Sequence, residues 1–542
     1  MLSLSLLMSS VPAHACGGFA CSSPGPQYPP AVLQTAERVV FAMDDQDGSI
    51  EMHVQVAYEG PAEDFAWIVP VPEAPDLFLT TSAMFPTLSL ATQPIFGSDF
   101  ATEGRCRQPI DLAIGCGSEI GVSMSLPPMM DGASTGEPTE VRVLGAEDVG
   151  PYETVVLDAV SVDALVEWLE NAEFDVPAGM EPALQPYLDA GSAFVALKLR
   201  KGLDVGDLAP IGLRWNADEA MIPIVLTSVA AVPDMGLEVY VLGDHRAVPE
   251  SYLHVQINDA MIDWGTGAAY PDALSQAVDE AGGQAFATEF AGEVPEGLRF
   301  QLDPVFDEVA VRDQTSPSSW VQAVLASLPQ VPAELVTVLA AHVPFVPGAD
   351  AETWAENPSN LGLIDEGGPF DAEAATDDLI DYVIDPMQHA SDLLRDFPML
   401  TRMSTTISPE EMTVDPTFVL NPDLPADIGQ RRLATFTTVC EERGRRYSPS
   451  DARQRLDLPD GRQIYLDGDF EPHARDAAIV IEQMGPSGEP EVLVDHRERL
   501  AELALGSAGA SCGGCASPAS SPWSLALLGL GVFLGLRRRR RA

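Results

Sequence analysis

The sequence predicts an α+β fold: a β-rich N-terminal domain with a mixed or antiparallel sheet, then a helical segment, then a C-terminal transmembrane helix. Three observations lead there. Apolar residues recur with period two between residues 39 and 58, helical spacing takes over from about residue 315, and an uncharged apolar run at 523–536 is followed by five arginines, Arg537, Arg538, Arg539, Arg540 and Arg541. Strands interrupted by few helices favour a mixed or antiparallel sheet over a doubly wound one. The chain accordingly divides into a signal peptide (1–15), a β-rich α+β domain (16–300), a mostly helical segment (301–400), an extended, arginine-rich region (401–503), a linker (504–522), a membrane helix (523–536) and a cytoplasmic arginine cluster (537–542).

The elements follow in order. Residues 2–8 are apolar and precede Ala13-His14-Ala15, a small-x-small pattern of the kind signal peptidases cut. Val39, Val40 and Phe41 read as a strand, and Asp44-Asp45-Gln46-Asp47-Gly48 as a turn. Ile50, Met52, Val54, Val56 and Tyr58 then alternate with Glu51, His53, Gln55 and Ala57, which makes the pair a hairpin. The acidic turn is no EF-hand, because Met43 and Val54 would fall at its first and twelfth ligand positions. The apolar run 65–72, closed by Pro70 and Pro72, predicts a buried strand that runs out to a sheet edge, since proline donates no ladder bond. Residues 115–138 read as a loop. Ser161 caps a helix carrying Val162, Leu165, Val166 and Leu169 on one face. Strands are expected at 193–199, 222–232, 237–242 and 252–257. Ser316-Pro317 opens a helix with Trp320, Val321, Val324, Leu325 and Leu328 along one stripe, and further helices are expected near Leu335, Leu379 and Leu393. Residues 400–425 return to extended character.

Composition narrows the function. With 82 acidic against 29 basic residues and a net charge of −53, the chain repels phosphate backbones, so nucleic acid is a poor partner. Solubility outside the cell is the first explanation of the acidity; diffuse calcium binding by carboxylates is the alternative, and no other cofactor is expected. Seven cysteines are few for 542 residues. In an exported chain Cys16 with Cys21, and Cys106 with Cys116, each close a small loop, which leaves Cys440 unpaired in this scheme. Between Gly429 and Gln463 eight arginines face five acids. Docking on the acidic body of the protein is the first reading of this island; contact with an anionic polysaccharide or headgroup through Arg443, Arg445 and Arg446 is the second.

No catalytic signature is present. Eight histidines occur without HExxH or a paired helical spacing, so a zinc site has no support from sequence. Lysine occurs only at 198 and 201, which excludes a Walker loop. Gly509-Ala510-Ser511-Cys512-Gly513 matches GxSxG but lies in a linker, without the strand and helix a nucleophile elbow requires. Asp244-His245-Arg246 and Asp495-His496-Arg497 set an acid beside a histidine, but adjacent residues do not face each other. Carboxylates around 365–366 and 371–381 read as a solvated face.

Two resemblances complete the reading. Cys512-Gly513-Gly514-Cys515, the apolar run 523–536 and Arg537 to Arg541 resemble, in that order, the myxosortase-processed C-terminal sorting signal (MYXO-CTERM). That resemblance implies a membrane helix, a sorting protease and retention at the cell surface. Cys16-Gly17-Gly18-Phe19-Ala20-Cys21, Glu37-Arg38-Val39-Val40-Phe41, the run 64–72, Trp215, Ile222-Pro223-Ile224, Thr401-Arg402 and the segment 408–416 resemble the bacterial domain of unknown function 2330 family, over residues 16 to about 430. It implies an exported bacterial protein and supplies no site residues. The expectation is an exported, surface-anchored protein of the bacterial envelope with a structural or adhesive role and an envelope polysaccharide or surface protein as partner. The alternative is a surface hydrolase using paired carboxylates, assisted by calcium.

Overall fold

The computed structural model describes residues 21–22, 33–44, 47–59, 66–106, 141–172, 174–177, 179–199, 209–217, 219–442, 444–448, 450–466 and 476–500. Its centre is a ten-stranded mixed sheet. In chain order the strands are β1 (Leu33–Asp44), β2 (Ser49–Glu59), β3 (Asp76–Leu79), β4 (Ile211–Asn216), β5 (Ala231–Gly243), β6 (Leu253–Ile257), β7 (Ala285–Glu293), β8 (Met399–Ile407), β9 (Ala478–Gln483) and β10 (Glu491–Asp495). Across the sheet they run β10-β9-β6-β7-β8-β5-β1-β2-β4-β3. The predicted hairpin is β1–β2, antiparallel with Val39 opposite Val54. Gly48 takes φ +74° at its turn, where a side chain would be strained, and its N–H reaches Asp44 O at 2.9 Å.

Alternation along these strands fills two cores. One face of the sheet presents Val39, Phe41, Ile50, Met52, Val54, Leu213, Val239 and Val241 to Trp67, Val69, Val195 and Leu197. Those four belong to a second, four-stranded sheet ordered 66–71, 193–199, 152–159, 141–149. Its 66–71 strand is at the edge, where Pro70 costs no ladder bond. Helices Val162–Asn171 and Met180–Ala190 cover its far side around Leu165, Leu169, Leu184 and Phe194. On the other face of the ten-stranded sheet, Val40, Ala42, Tyr240 and Leu242 pack against helices Met84–Thr92 and Asp385–Asp396 through Met84, Phe85, Leu88, Ala390 and Leu394. The stack is thus helix, sheet, sheet, helix.

The helix caps follow the sequence. Ser316 accepts from Ser319 N and closes a capping box at Pro317–Ser327. Helices follow at Glu334–His342 and Ala372–Leu379, and a π turn, Ile380–Ile384, leads into Asp385–Asp396.

Several expectations are corrected. Residues 222–232 do not form one strand. Pro223 removes a donor, Ile224–Thr227 makes a single helical turn, and β5 begins at Ala231 with a register shift before Gly236. Cys106 bonds Cys440 rather than Cys116, across 334 residues, with the Cα atoms 4.7 Å apart. The cause is a parallel pairing of strand Ile95–Glu103 with Arg431–Val439, which brings both chain exits to one end. Cys21 opens a two-residue strand, while Cys16, Cys116, Cys512 and Cys515 lie outside the described residues.

The membrane expectation also fails to find support. Among the described residues no helix is long and apolar enough to cross a membrane. The Asp385–Asp396 helix has 12 residues, where a span needs about 20. The signal peptide 1–15, the motif at 512–515 with Gly513 and Gly514, the run 523–536 and Arg537 to Arg541 lie outside the described residues. The expected anchoring at a cell surface, the sorting protease and the polysaccharide partner find no support among the described residues.

Candidate metal centre

Two polar residues of the β2 alternation do not face water. Glu51 and His53 are 4% and 0% exposed, because their face of the sheet is the one roofed by helix Asp385–Asp396. β4 places Arg214 opposite Glu51 and Gly212 opposite His53, and β3 places Phe78 opposite Gly212. From the roof, His389 descends onto the same carboxylate.

Glu51 is the hub. Its Oε1 accepts from His389 Nε2 and lies 3.0 Å from His53 Nε2, while its Oε2 accepts from Arg214 Nε at 2.9 Å and from Arg214 Nη2. Burial alone would raise the Glu51 carboxyl, but the adjacent His389 and His53 imidazoles outweigh it and hold the group well below the usual carboxylate range. Burial lowers His53, although Glu51 pulls the other way. At neutral pH the pair therefore rests as carboxylate and neutral imidazole, the forms that bind metals.

His53 carries the most informative atom. Its Nδ1 meets Thr80 Oγ1 at 2.8 Å, yet its buried Nε2 makes no hydrogen bond of acceptable geometry despite its closeness to Glu51. The tautomer that donates Nδ1–H to Thr80 is the one that frees the Nε2 lone pair for a metal ion. One ligand atom from each of Glu51, His53 and His389 falls within 4.8 Å of the others. Two imidazoles and one carboxylate, with an open side, are a zinc-type donor set.

Aromatic and cationic neighbours flank the donors. Phe78 stands edge-on to both rings, 5.6 Å from His53 and 5.3 Å from His389, and Arg214 lies 5.8 Å above its ring. The side chains of His389 and Arg214 are 32% and 47% exposed, so solvent approaches from that side. The π turn at Ile380–Ile384 immediately precedes the helix bearing His389, a distortion that often marks functional sites.

The sequence-stated candidates lie elsewhere. Arg445 and Arg446 sit on an exposed hairpin; Arg445 is 5.4 Å above the Tyr447 ring and Arg446 Nε is 3.4 Å from Glu441 Oε2. Arg443 lies outside the described residues. Other members of the arginine island meet the protein's own groups: Arg455 reaches Asp457 and Glu103 at 2.7 Å each, and Arg462 reaches Asn258 at 2.8 Å. The carboxylates near 365–381 serve turns, caps and ion pairs: Asp365 accepts from Gly367 N, Asp371 from Ala374 N, and Asp377 pairs with Arg312. Sequence spacing missed this candidate centre because His389 lies 338 residues from Glu51. The legible trace was Glu51-x-His53, two donors on one face of one strand.

Comparison with known proteins gives one family. The model described as "Uncharacterized protein conserved in bacteria (DUF2330)" matches residues 11–307, more than half of the chain. The chain belongs to this family. The matched stretch contains Glu51, His53, Phe78, Thr80 and Arg214 but not His389, and it ends before Thr401-Arg402 and the 408–416 segment. It begins inside the expected signal peptide and gives no support to a sorting signal at the tail. No curated protein and no solved structure matches.

Proposed function

We propose that this member of the DUF2330 family holds a divalent metal ion of the zinc class on Glu51, His53 and His389 and acts as a metal-dependent hydrolase. The structural or adhesive role is set aside: its anchor has no support among the described residues, whereas Glu51, His53 and His389 converge as a metal ligand set would. The observation that carries the reading is His53 Nε2, buried, without a hydrogen bond and 3.0 Å from Glu51 Oε1. Calcium fits this centre poorly, because it seeks six to eight oxygens and two of these three donors are imidazoles.

A zinc ion so held would lower the pKa of a bound water to about 7 and polarise a carbonyl or phosphoryl oxygen. The protein's own contribution is orientation and charge. Thr80 fixes the His53 ring, Phe78 holds both imidazoles edge-on, and Arg214 pairs with Glu51 Oε2 while its half-exposed guanidinium offers positive charge where negative charge would develop.

The test is metal titration of the stripped full chain by calorimetry, followed by hydrolysis assays on ester, amide and phosphoester panels with and without chelator. Zinc should bind near one per chain at this centre, and His53→Ala and His389→Ala should each weaken binding at least 100-fold and abolish chelator-sensitive turnover. Unchanged zinc binding in both variants would overturn the reading.

A further inference from the structure

A second group of donors lies far along the chain, where the C-terminal strand pair joins the sheet. Glu280 ends helix Tyr270–Glu280, Asp476 precedes β9, and His496 follows β10. One ligand atom from each falls within 4.8 Å of the others. Glu280 Oε2 is committed, accepting from Ala477 N at 2.7 Å and Ala478 N at 3.0 Å. Its Oε1 is 3.5 Å from His496 Nδ1, which also meets Ala478 O at 3.1 Å. Asp476 is 5% exposed; one oxygen pairs with Arg499, and the other, Oδ2, is buried with no partner. An unsatisfied buried carboxylate oxygen costs free energy unless something positive meets it.

We infer that Glu280, Asp476 and His496 form a structural site for a hard divalent cation that clasps β9 and β10 to the Tyr270–Glu280 helix. Oxygen predominates in this donor set, which selects manganese- or calcium-like ions over zinc. Arg499 is the built-in competitor. Its side chain is 56% exposed, so it can leave Asp476 for water when the cation arrives. The site is independent of Glu51, His53 and His389.

The probe is Mn2+, followed by its electron paramagnetic resonance signal on the full chain, with Ca2+ as competitor and thermal unfolding as second readout. Expected are one Mn2+ retained per chain in His53→Ala, loss of that Mn2+ in Asp476→Asn and His496→Ala, and at least tenfold tighter binding in Arg499→Ala. The cation should raise the unfolding midpoint of the wild type and not that of Asp476→Asn. If Arg499→Ala is destabilised and gains no Mn2+, the Asp476–Arg499 ion pair is the whole purpose of the cluster and the inference fails. Mn2+ that vanishes with His53→Ala instead would assign the signal to the other centre and equally overturn it.

Discussion

At the scale of single residues, the sheet buries groups that water would keep charged. Glu37 is 3% exposed and accepts from Gln34 Nε2 at 2.7 Å; burial pushes its carboxyl up from 4.5 to about 7, against the pull of that hydrogen bond. Gln34 Oε1 is itself buried without a hydrogen-bond donor. A raised folded-state pKa stabilises below the unfolded value and loses that contribution as pH climbs from about 4.5 through about 7. Glu37→Gln should therefore flatten the decline of stability between pH 5 and pH 8. The difference at pH 8 should be on the order of 3 kcal/mol in favour of the variant, read by denaturant unfolding at each pH. An identical pH slope in the two proteins would contradict it. Glu51 has the opposite sign: held ionised by its histidines, it stabilises above the usual carboxylate range and loses that contribution only in acid.

At the scale of elements, the candidate metal centre depends on a glycine. Gly212 lies between His53 and Phe78 in the β2-β4-β3 register, and a Cβ there would stand 2.1 Å from Phe78 Cε2. Only the absence of a side chain lets the ring reach both imidazoles. Gly212→Ala should displace Phe78, cost about 1–3 kcal/mol of stability through overpacking and weaken zinc binding roughly tenfold. Calorimetry beside a thermal melt separates the two effects, and unchanged zinc affinity would show that Phe78 does not position the donors.

The whole molecule is held by connections far apart in sequence. The Cys106–Cys440 bond fastens the parallel pair Ile95–Glu103 and Arg431–Val439, and Cys440 N donates to Glu103 O at 2.8 Å beside it. A crosslink over 334 residues removes much freedom from the unfolded chain, so Cys106→Ala should destabilise by about 2–5 kcal/mol. Equal unfolding midpoints with and without reductant would refute that estimate. The net charge of −53 adds self-repulsion across the same body, which the arginines of residues 431–462 offset through pairs such as Arg455 with Glu103.

Local chemistry wrote the hairpin at Gly48, the Ser161 and Ser316 caps and the edge strand with Pro70 into the sequence, since each depends on a few neighbouring residues. The same alternation put Glu51 and His53 on one face, but period two says only that two residues share a face. Tertiary structure decided whether that face meets water or a helix. It laid Asp385–Asp396 over the strand and brought His389 to a carboxylate 338 residues away. It likewise chose Cys440 for Cys106, because strand pairing, not spacing along the chain, sets which ends meet.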